Sequence, residues 1–194
     1  MWSAAILAGG RATRFGGLDK GALVVDGRTI LDRQLAELAT LAADLLIVGG
    51  RNAPPSARLV ADIVPASGPL GGLHAALTES RGDATIVIAC DMPYVSAALL
   101  RHLLTLTTDA DLVVPRTKRG YHPLCAAYTR ACLAPAAARL ANGRLKMIDL
   151  FEDVRVREVT GDEIEAFGDP QRLLANVNSP VEYRGLEAHH GHQP

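Results

Sequence analysis

The sequence predicts an α/β domain, a Rossmann-like three-layer sandwich around a mostly parallel central sheet. Three observations predict it. Short apolar runs at 4–7, 45–48 and 85–89 are continuous rather than alternating, as expected of strands covered on both faces. Segments with helical spacing lie between them, the alternation that builds a parallel sheet with right-handed crossovers. Turns rich in glycine or carboxylate follow the runs, and such sheets gather ligands outside the carboxyl ends of their strands. The 194 residues, 48% of them apolar, suffice for one domain with a sizeable core. We expect a single domain over residues 1–186, followed at 187–194 by a disordered tail. Its His189, His190 and His192 could bind adventitious metal, but Gly191 and Pro194 offer no core contact and favour the disordered tail.

Each element has a local reason. Ala4 to Leu7 reads as the first buried strand. Ala22 to Val25 is a short apolar run turned by Asp26-Gly27, a strong turn pair. Thr29 is a helix N-cap, and Leu31, Leu35, Leu38 and Ala42 repeat at helical spacing. Leu45 to Val48 is the second core strand, ended by Gly49-Gly50. After the Pro54-Pro55 loop, Leu59 to Ala61 forms a short strand leading into Asp62. Ser67-Gly68-Pro69-Leu70-Gly71-Gly72 opens a helix from Leu73 to Glu79. Thr85 to Ala89 is a central strand ending in Cys90-Asp91-Met92-Pro93-Tyr94. Ser96 caps a helix whose inner face is Leu99, Leu100, Leu103 and Leu104.

Asp111 to Val114 and Leu124 to Tyr128 are strands, separated by a basic loop from Arg116 to Gly120. Arg130 to Ala141 is an Ala-rich helix stopped by Asn142-Gly143, and Leu145 to Phe151 is a further helical piece. Val154 and Val156 alternate with Arg155 and Arg157 as in a half-exposed strand. Ser179-Pro180 starts a final helix.

Composition excludes several classes. A net charge of −1, from 20 basic and 21 acidic groups, gives no support to nucleic-acid or membrane-surface binding. No apolar run approaches the roughly 20 residues of a membrane helix, and Met1-Trp2-Ser3 carries no basic signal region. Cys90, Cys125 and Cys132 form no Cys-x-x-Cys pair, which suits a reducing, cytoplasmic compartment.

The chemistry concentrates in Leu7-Ala8-Gly9-Gly10-Arg11-Ala12-Thr13-Arg14-Phe15-Gly16-Gly17-Leu18-Asp19-Lys20. Glycines let a backbone approach a phosphate chain, and Arg11, Arg14 and Lys20 add positive charge there. It is not a P-loop, because Lys20 precedes Gly21 rather than Ser or Thr. Nor does it hold the Gly-x-Gly-x-x-Gly of dinucleotide sites. It resembles the Leu-Ala-Gly-Gly-x-x-x-Arg-Met-Gly…Lys signature of nucleotidyltransferases, and most of all the molybdenum cofactor guanylyltransferase (MobA) family. Phe15 stands where Met is usual. Cys90-Asp91-Met92-Pro93-Tyr94 matches that family's Cys-Asp-x-Pro-Tyr, and Asn176-Val177-Asn178-Ser179-Pro180 its Asn-x-Asn-Thr-Pro. The likeness runs from Ile6 to about Leu186.

The resemblance implies the sandwich of nucleotide-diphospho-sugar transferases. It implies transfer of GMP from GTP to the terminal phosphate of Mo-molybdopterin, with pyrophosphate released and Mg²⁺ as cofactor. Leu7, Ala8, Gly9, Gly10, Asp62, Gly68 and Pro69 would surround the nucleotide. Lys20 and Arg14 would neutralise its phosphates. Asp91 would hold the metal, since Mg²⁺ prefers one or two carboxylates beside phosphate oxygens and water. Asn176, Asn178 and His122 would meet the second substrate. The resemblance also allows transient contact with other cofactor-biosynthesis proteins or acceptor molybdoenzymes.

Local alternatives stand beside these roles. Asp62 and Asp91 can be turn residues, Gly68-Pro69 a plain turn, and Asn176 to Asn178 a cap before the last helix. Arg116, Lys118 and Arg119 are either a solvated loop or a contact for an anionic substrate. Gly49 stands where the family often has Asn, so a nucleotide contact is missing there or comes from Asn52. A cytidylyl or sugar-nucleotide transferase on the same scaffold is the enzymatic alternative; Leu-Ala-Gly-Gly in place of Leu-Ala-Ala-Gly separates this chain from the cytidylyltransferases. A nucleotide-binding protein without catalysis is the other.

Overall fold

The computed structural model describes residues 1–9, 20–64 and 66–177. Its central sheet contains β1 (Trp2–Leu7), β4 (Asp44–Val48), β5 (Arg58–Val60), β6 (Ala84–Ala89), β7 (Leu112–Thr117), β9 (Cys125–Thr129) and β10 (Val156–Thr160). They lie in the order β10-β7-β9-β6-β1-β4-β5, with the short β8 (Gly120–Tyr121) paired to β7. The block β6-β1-β4-β5 is parallel throughout, and β10 is parallel to β7. β9 runs antiparallel to both of its neighbours. The sheet is therefore mixed, with parallel pairs predominating.

The order reverses at β1. From β1 the chain crosses to β4 and β5, then returns to place β6 on the other side. The carboxyl ends of β1 and β6 thus bound a topological switch point, the place where open α/β sheets form their ligand crevice. Alternate strand residues feed two cores. Ala4, Ile6, Ile86 and Ile88 pack with α1 (Ile30–Ala39) and α3 (Ala97–Thr105). Ala5, Leu7 and Val87 pack with α2 (Gly68–Glu79) and α4 (Leu133–Ala141). These are the three layers that the sequence predicts.

A hairpin of β2 (Val24–Val25) and β3 (Arg28–Thr29) precedes α1. Its Asp26 and Gly27 both have positive φ, 50° and 75°, as the Asp-Gly pair requires. A third apolar cluster joins this hairpin to the site: Val25 and Ile30 pack with Tyr94 and Val177.

Some elements differ from expectation. Helix α2 begins at Gly68, not Leu73, because Gly71 and Gly72 are needed inside it. A Cβ on Gly71 would stand 2.8 Å from the Ser67 Cβ, and one on Gly72 3.2 Å from Leu7 Cδ1. Arg116 and Thr117 belong to β7 rather than a loop, and Arg130–Cys132 is a 3₁₀ turn before α4. The buried residues of α1 are Ile30, Gln34 and Leu38, with Leu31 and Leu35 at its flank.

Ser96 makes no capping bond. The Ala97 N–H at the start of α3 instead donates to Glu37 Oε2 of α1 at 2.7 Å. Two short helices, α5 (Gly161–Glu165) and α6 (Pro170–Leu173), were not anticipated. The expected last helix and His-containing tail lie outside the described residues. Among the described residues no helix is long and apolar enough to cross a membrane.

Candidate active site

The carboxyl ends of the parallel strands share one edge of the sheet. At the end of β1 the N–H groups of Ala8 and Gly9 both donate to the Val48 carbonyl, at 2.8 and 3.1 Å. Gly49 follows β4 with φ +71°. A Cβ there would stand 2.8 Å from Gly9 Cα, and one on Gly9 would stand 3.3 Å from Asp62 Oδ2. Three loops, after β1, β4 and β5, therefore converge on a glycine pair roofed by the Asp62 carboxylate. Their contact explains Gly49: this backbone has no room for the Asn that the resemblance suggests.

Across β1 stands Asp91, buried at 8% exposure just past β6. The Cys90 N–H donates to the Leu7 carbonyl at 3.2 Å, which docks the Asp91 turn onto the end of β1. From β6 to β5 there are three strand steps, about 14 Å at the usual strand spacing. Leu7, Ala8 and Gly9 lie between the two strand ends, and the Asp62 side chain reaches back over Gly49 to Gly9. Gly68 and Pro69 form the start of α2, which Gly72 brings against Leu7.

The carboxyl-terminal segment closes on the same place. Asn176 Nδ2 donates to Asp91 Oδ1 at 2.9 Å, and the Val177 N–H donates to the Asp91 carbonyl at 2.8 Å. Asn176 is thus a neighbour of Asp91 and not merely a helix cap. His122 lies on the other flank. The β6–β9 register pairs Ile88 with Cys125, and the Ala89 N–H donates to the Leu124 carbonyl. The turn from His122 to Cys125, closed by the Cys125 N–H on the His122 carbonyl at 2.9 Å, therefore enters the sheet beside the end of β6. His122 Nε2 is 3.0 Å from Thr117 Oγ1. Burial, helped by the Arg119 charge, holds its pKa below the ordinary value, so the ring is neutral at pH 7.

Of the basic loop, Arg116 is paired to Glu158 at 2.9 Å and lies over the Tyr121 ring, and Tyr121 also donates to Glu158. Burial pushes the Cys125 and Cys132 thiols up to about 12, which excludes both as nucleophiles. Gly10, Arg14 and Asn178 lie outside the described residues, as does the Lys20 side chain; the backbone at Lys20 begins a 3₁₀ turn packed on α1.

Sequence reasoning missed three members of the site's scaffold. Gln34 Nε2 donates to the carbonyls of Ala89 and Met92, at 2.8 and 3.0 Å, and Arg33 Nε to that of Pro93 at 3.1 Å. Val177 supplies the backbone bond to Asp91. The spacing of Leu31, Leu35, Leu38 and Ala42 does not single out Gln34; the structure buries Ile30, Gln34 and Leu38 instead, a stripe with a carboxamide at its centre.

Comparison with known proteins agrees with this geometry. The sequence model of the MobA-like NTP transferase domain matches residues 4–156. The chain is 33% identical to the molybdenum cofactor guanylyltransferase of Desulfosudis oleivorans over 189 residues, covering 94% of this chain and 93% of that protein. It is 30% identical to that of Vibrio cholerae over 190 residues, covering 95% and 91%. The structure of molybdopterin-guanine dinucleotide biosynthesis protein A from Archaeoglobus fulgidus superposes with a TM-score of 0.82 at 22% identity, covering 96% and 97%. A 2-C-methyl-D-erythritol 4-phosphate cytidylyltransferase from Thermus thermophilus superposes with a TM-score of 0.68 at 16% identity, over 96% and 97%; at that identity the likeness is one of fold.

Proposed function

The chain belongs to the MobA-like NTP transferase family, and from that premise we propose that it transfers GMP from GTP to the terminal phosphate of Mo-molybdopterin. Both relatives described above carry the name molybdenum cofactor guanylyltransferase. The observation that carries the site assignment is the meeting of Asp91 and Asn176 at the switch point, beside the Gly9–Asp62 floor.

The chemistry follows from the parts. An oxygen of the acceptor phosphate forms a bond to the α-phosphorus of GTP, and the bond from that phosphorus to the α,β-bridging oxygen breaks. Pyrophosphate leaves with the electron pair. The attacking oxygen is anionic at neutral pH, so no strong general base is needed. The residues mainly position and neutralise. Asp62, Gly9 and the start of α2 hold the nucleotide; Lys20 and Arg14 neutralise its phosphates. Asn176, Asn178 and neutral His122 face the acceptor.

Among the described residues no three His, Cys, Asp or Glu side chains converge to cage a metal. A buried carboxylate oriented by an amide fits a Mg²⁺ ion that takes most of its ligands from phosphate and water. Asp91 would hold it, and the ion would offset charge on the phosphates. Cytoplasmic location is part of the same proposal, and the buried thiols of Cys125 and Cys132 fit it.

The test is pyrophosphate release with each of the four nucleoside triphosphates, with and without the pterin acceptor. Turnover restricted to GTP plus acceptor supports the proposal. Turnover with CTP or a sugar phosphate sinks it, as does GTP binding without turnover.

A further inference from the structure

Gln34 has 0% exposure, and no partner exists for its Oε1 among the described residues. Burying an unpaired carbonyl oxygen is unfavourable, and a Leu or Met of similar volume would avoid it. The amide orientation is not open to reversal, since exchanging nitrogen and oxygen would set the oxygen against two carbonyl oxygens. What the residue contributes is therefore its NH₂ group, and both hydrogens point to one place. They hold the Ala89 and Met92 carbonyls, on either side of Cys90-Asp91.

The next residue back continues the grip. Arg33 Nε takes the Pro93 carbonyl, and its Nη1 takes the Val25 carbonyl at 3.2 Å. With Val177 on the Asp91 carbonyl, four of the five carbonyls from Ala89 to Pro93 are fixed by groups outside the turn. Two of those four bonds come from the single Gln34 nitrogen. The strand has ended there, so ladder bonds no longer set the peptide planes. Asn176 bonds the Asp91 carboxylate and Val177 its carbonyl, while α1 holds the carbonyls of Ala89, Met92 and Pro93 on either side of it.

We infer that Gln34 is a positioning residue for Asp91: its two N–H bonds set the turn that aims the carboxylate into the crevice. The inference rests on the reading of Asp91 as the metal-binding carboxylate. Misplacing such a group by about 1 Å lowers turnover about a hundredfold, and loss of a group that orients a metal ligand weakens metal use about 10–100-fold.

The experiment uses the full chain with Gln34→Met, which removes both donors, and Gln34→Glu, which keeps the shape with at most one donor proton. Leu38→Ala, one helical turn further along the same face of α1 and without a hydrogen-bonding side chain, serves as the packing control, and Asp91→Asn as the reference for the ligand. Pyrophosphate release is followed against Mg²⁺ concentration, and the thermal midpoint is recorded for each variant. We expect Gln34→Met to raise the half-activating Mg²⁺ about tenfold and lower kcat by at least as much, with KM for GTP changed far less. Gln34→Glu falls between Gln34→Met and the parent, and Leu38→Ala loses stability without moving the metal requirement.

The inference is overturned if both Gln34 variants stay within about twofold of the parent while Asp91→Asn is inactive. It is equally overturned if Leu38→Ala shifts the metal requirement as far as they do. Full turnover by Asp91→Asn at ordinary Mg²⁺ overturns the assignment of Asp91 itself, and this inference with it.

Discussion

Asn176 and Asp91 are 85 residues apart in the chain and joined by a 2.9 Å hydrogen bond. The bond fixes the orientation of the carboxylate. Replacing Asn176 by Ala should lower kcat about 10–100-fold with little change in thermal midpoint, as expected for loss of a group that orients a metal ligand. Steady-state kinetics beside a melting curve would check this. An unchanged kcat would show that the contact is incidental.

Gly49 offers a second test, because the structure and the sequence resemblance pull in opposite directions there. Introducing Asn at position 49 should destabilise the chain by about 1–3 kcal/mol, the range for forcing atoms into a packed site. The new Cβ would meet Gly9 Cα at 2.8 Å and crowd Asp62 Oδ2 at 3.2 Å. Urea unfolding measures the loss, and KM for GTP should rise with it. A more stable variant would contradict the close approach.

The acid limb of stability should depend on Asp44. Burial raises its pKa, but the Ser3 hydroxyl, the Arg81 N–H and the Arg58 guanidinium outweigh that and leave it below the ordinary carboxylate value. A carboxyl depressed in the folded state stabilises the fold above its unfolded pKa of about 3.9, and that contribution is lost as pH falls through the folded value. Asp44→Asn should therefore cost about 2–3 kcal/mol at neutral pH, the range for a hydrogen bond to a charged group. It should also flatten the decline below about pH 4. Thermal melts across that range would reveal an unchanged slope if the network were unimportant.

His122 titrates in the same sense at a higher pH. Its folded pKa is below the unfolded value of about 6.5, so the unfolded chain binds the proton more readily. Stability should decline as pH drops below about 6.5, and His122→Gln should reduce that decline. The imidazole titration, followed by NMR in the native protein, should have its midpoint under 6.5.

Glu37 caps a helix that is not its own. Glu37→Ala should destabilise the chain by about 1 kcal/mol, the usual effect of a lost N-cap. Ser96→Ala should be nearly neutral, because Ser96 makes no capping bond. A matched pair of melting curves would reverse this assignment if Ser96→Ala were the more harmful.

The parts of the fold legible in sequence were those set by local pattern. Continuous apolar runs gave β1, β4 and β6, and Asp-Gly gave the hairpin. Gly49 and Asp62 were marked by their positions at strand ends, but their contact with Gly9 was not, since close approach of three loops is a property of the sheet order. The reversed direction of β9 was missed because an apolar run carries no sense of direction. Ser96 has the residue type of a cap, yet it makes no capping bond, and Glu37 of α1 takes the Ala97 N–H at the start of α3 instead. Gln34 lies off the face marked by Leu31, Leu35, Leu38 and Ala42, and its partners are more than fifty residues away.

That reversed strand divides the sheet into two unequal provinces. Because β9 runs against its neighbours, it is the segment entering it, His122 to Leu124, that meets the edge where Asp91 stands, and the β7–β8 hairpin leads directly into that segment. Residues added to the hairpin would lengthen the wall beside Asp91 while leaving the four-strand parallel block in register. Variation in what the crevice accepts on that flank can accumulate there without redesign of the floor formed by Gly9, Gly49 and Asp62.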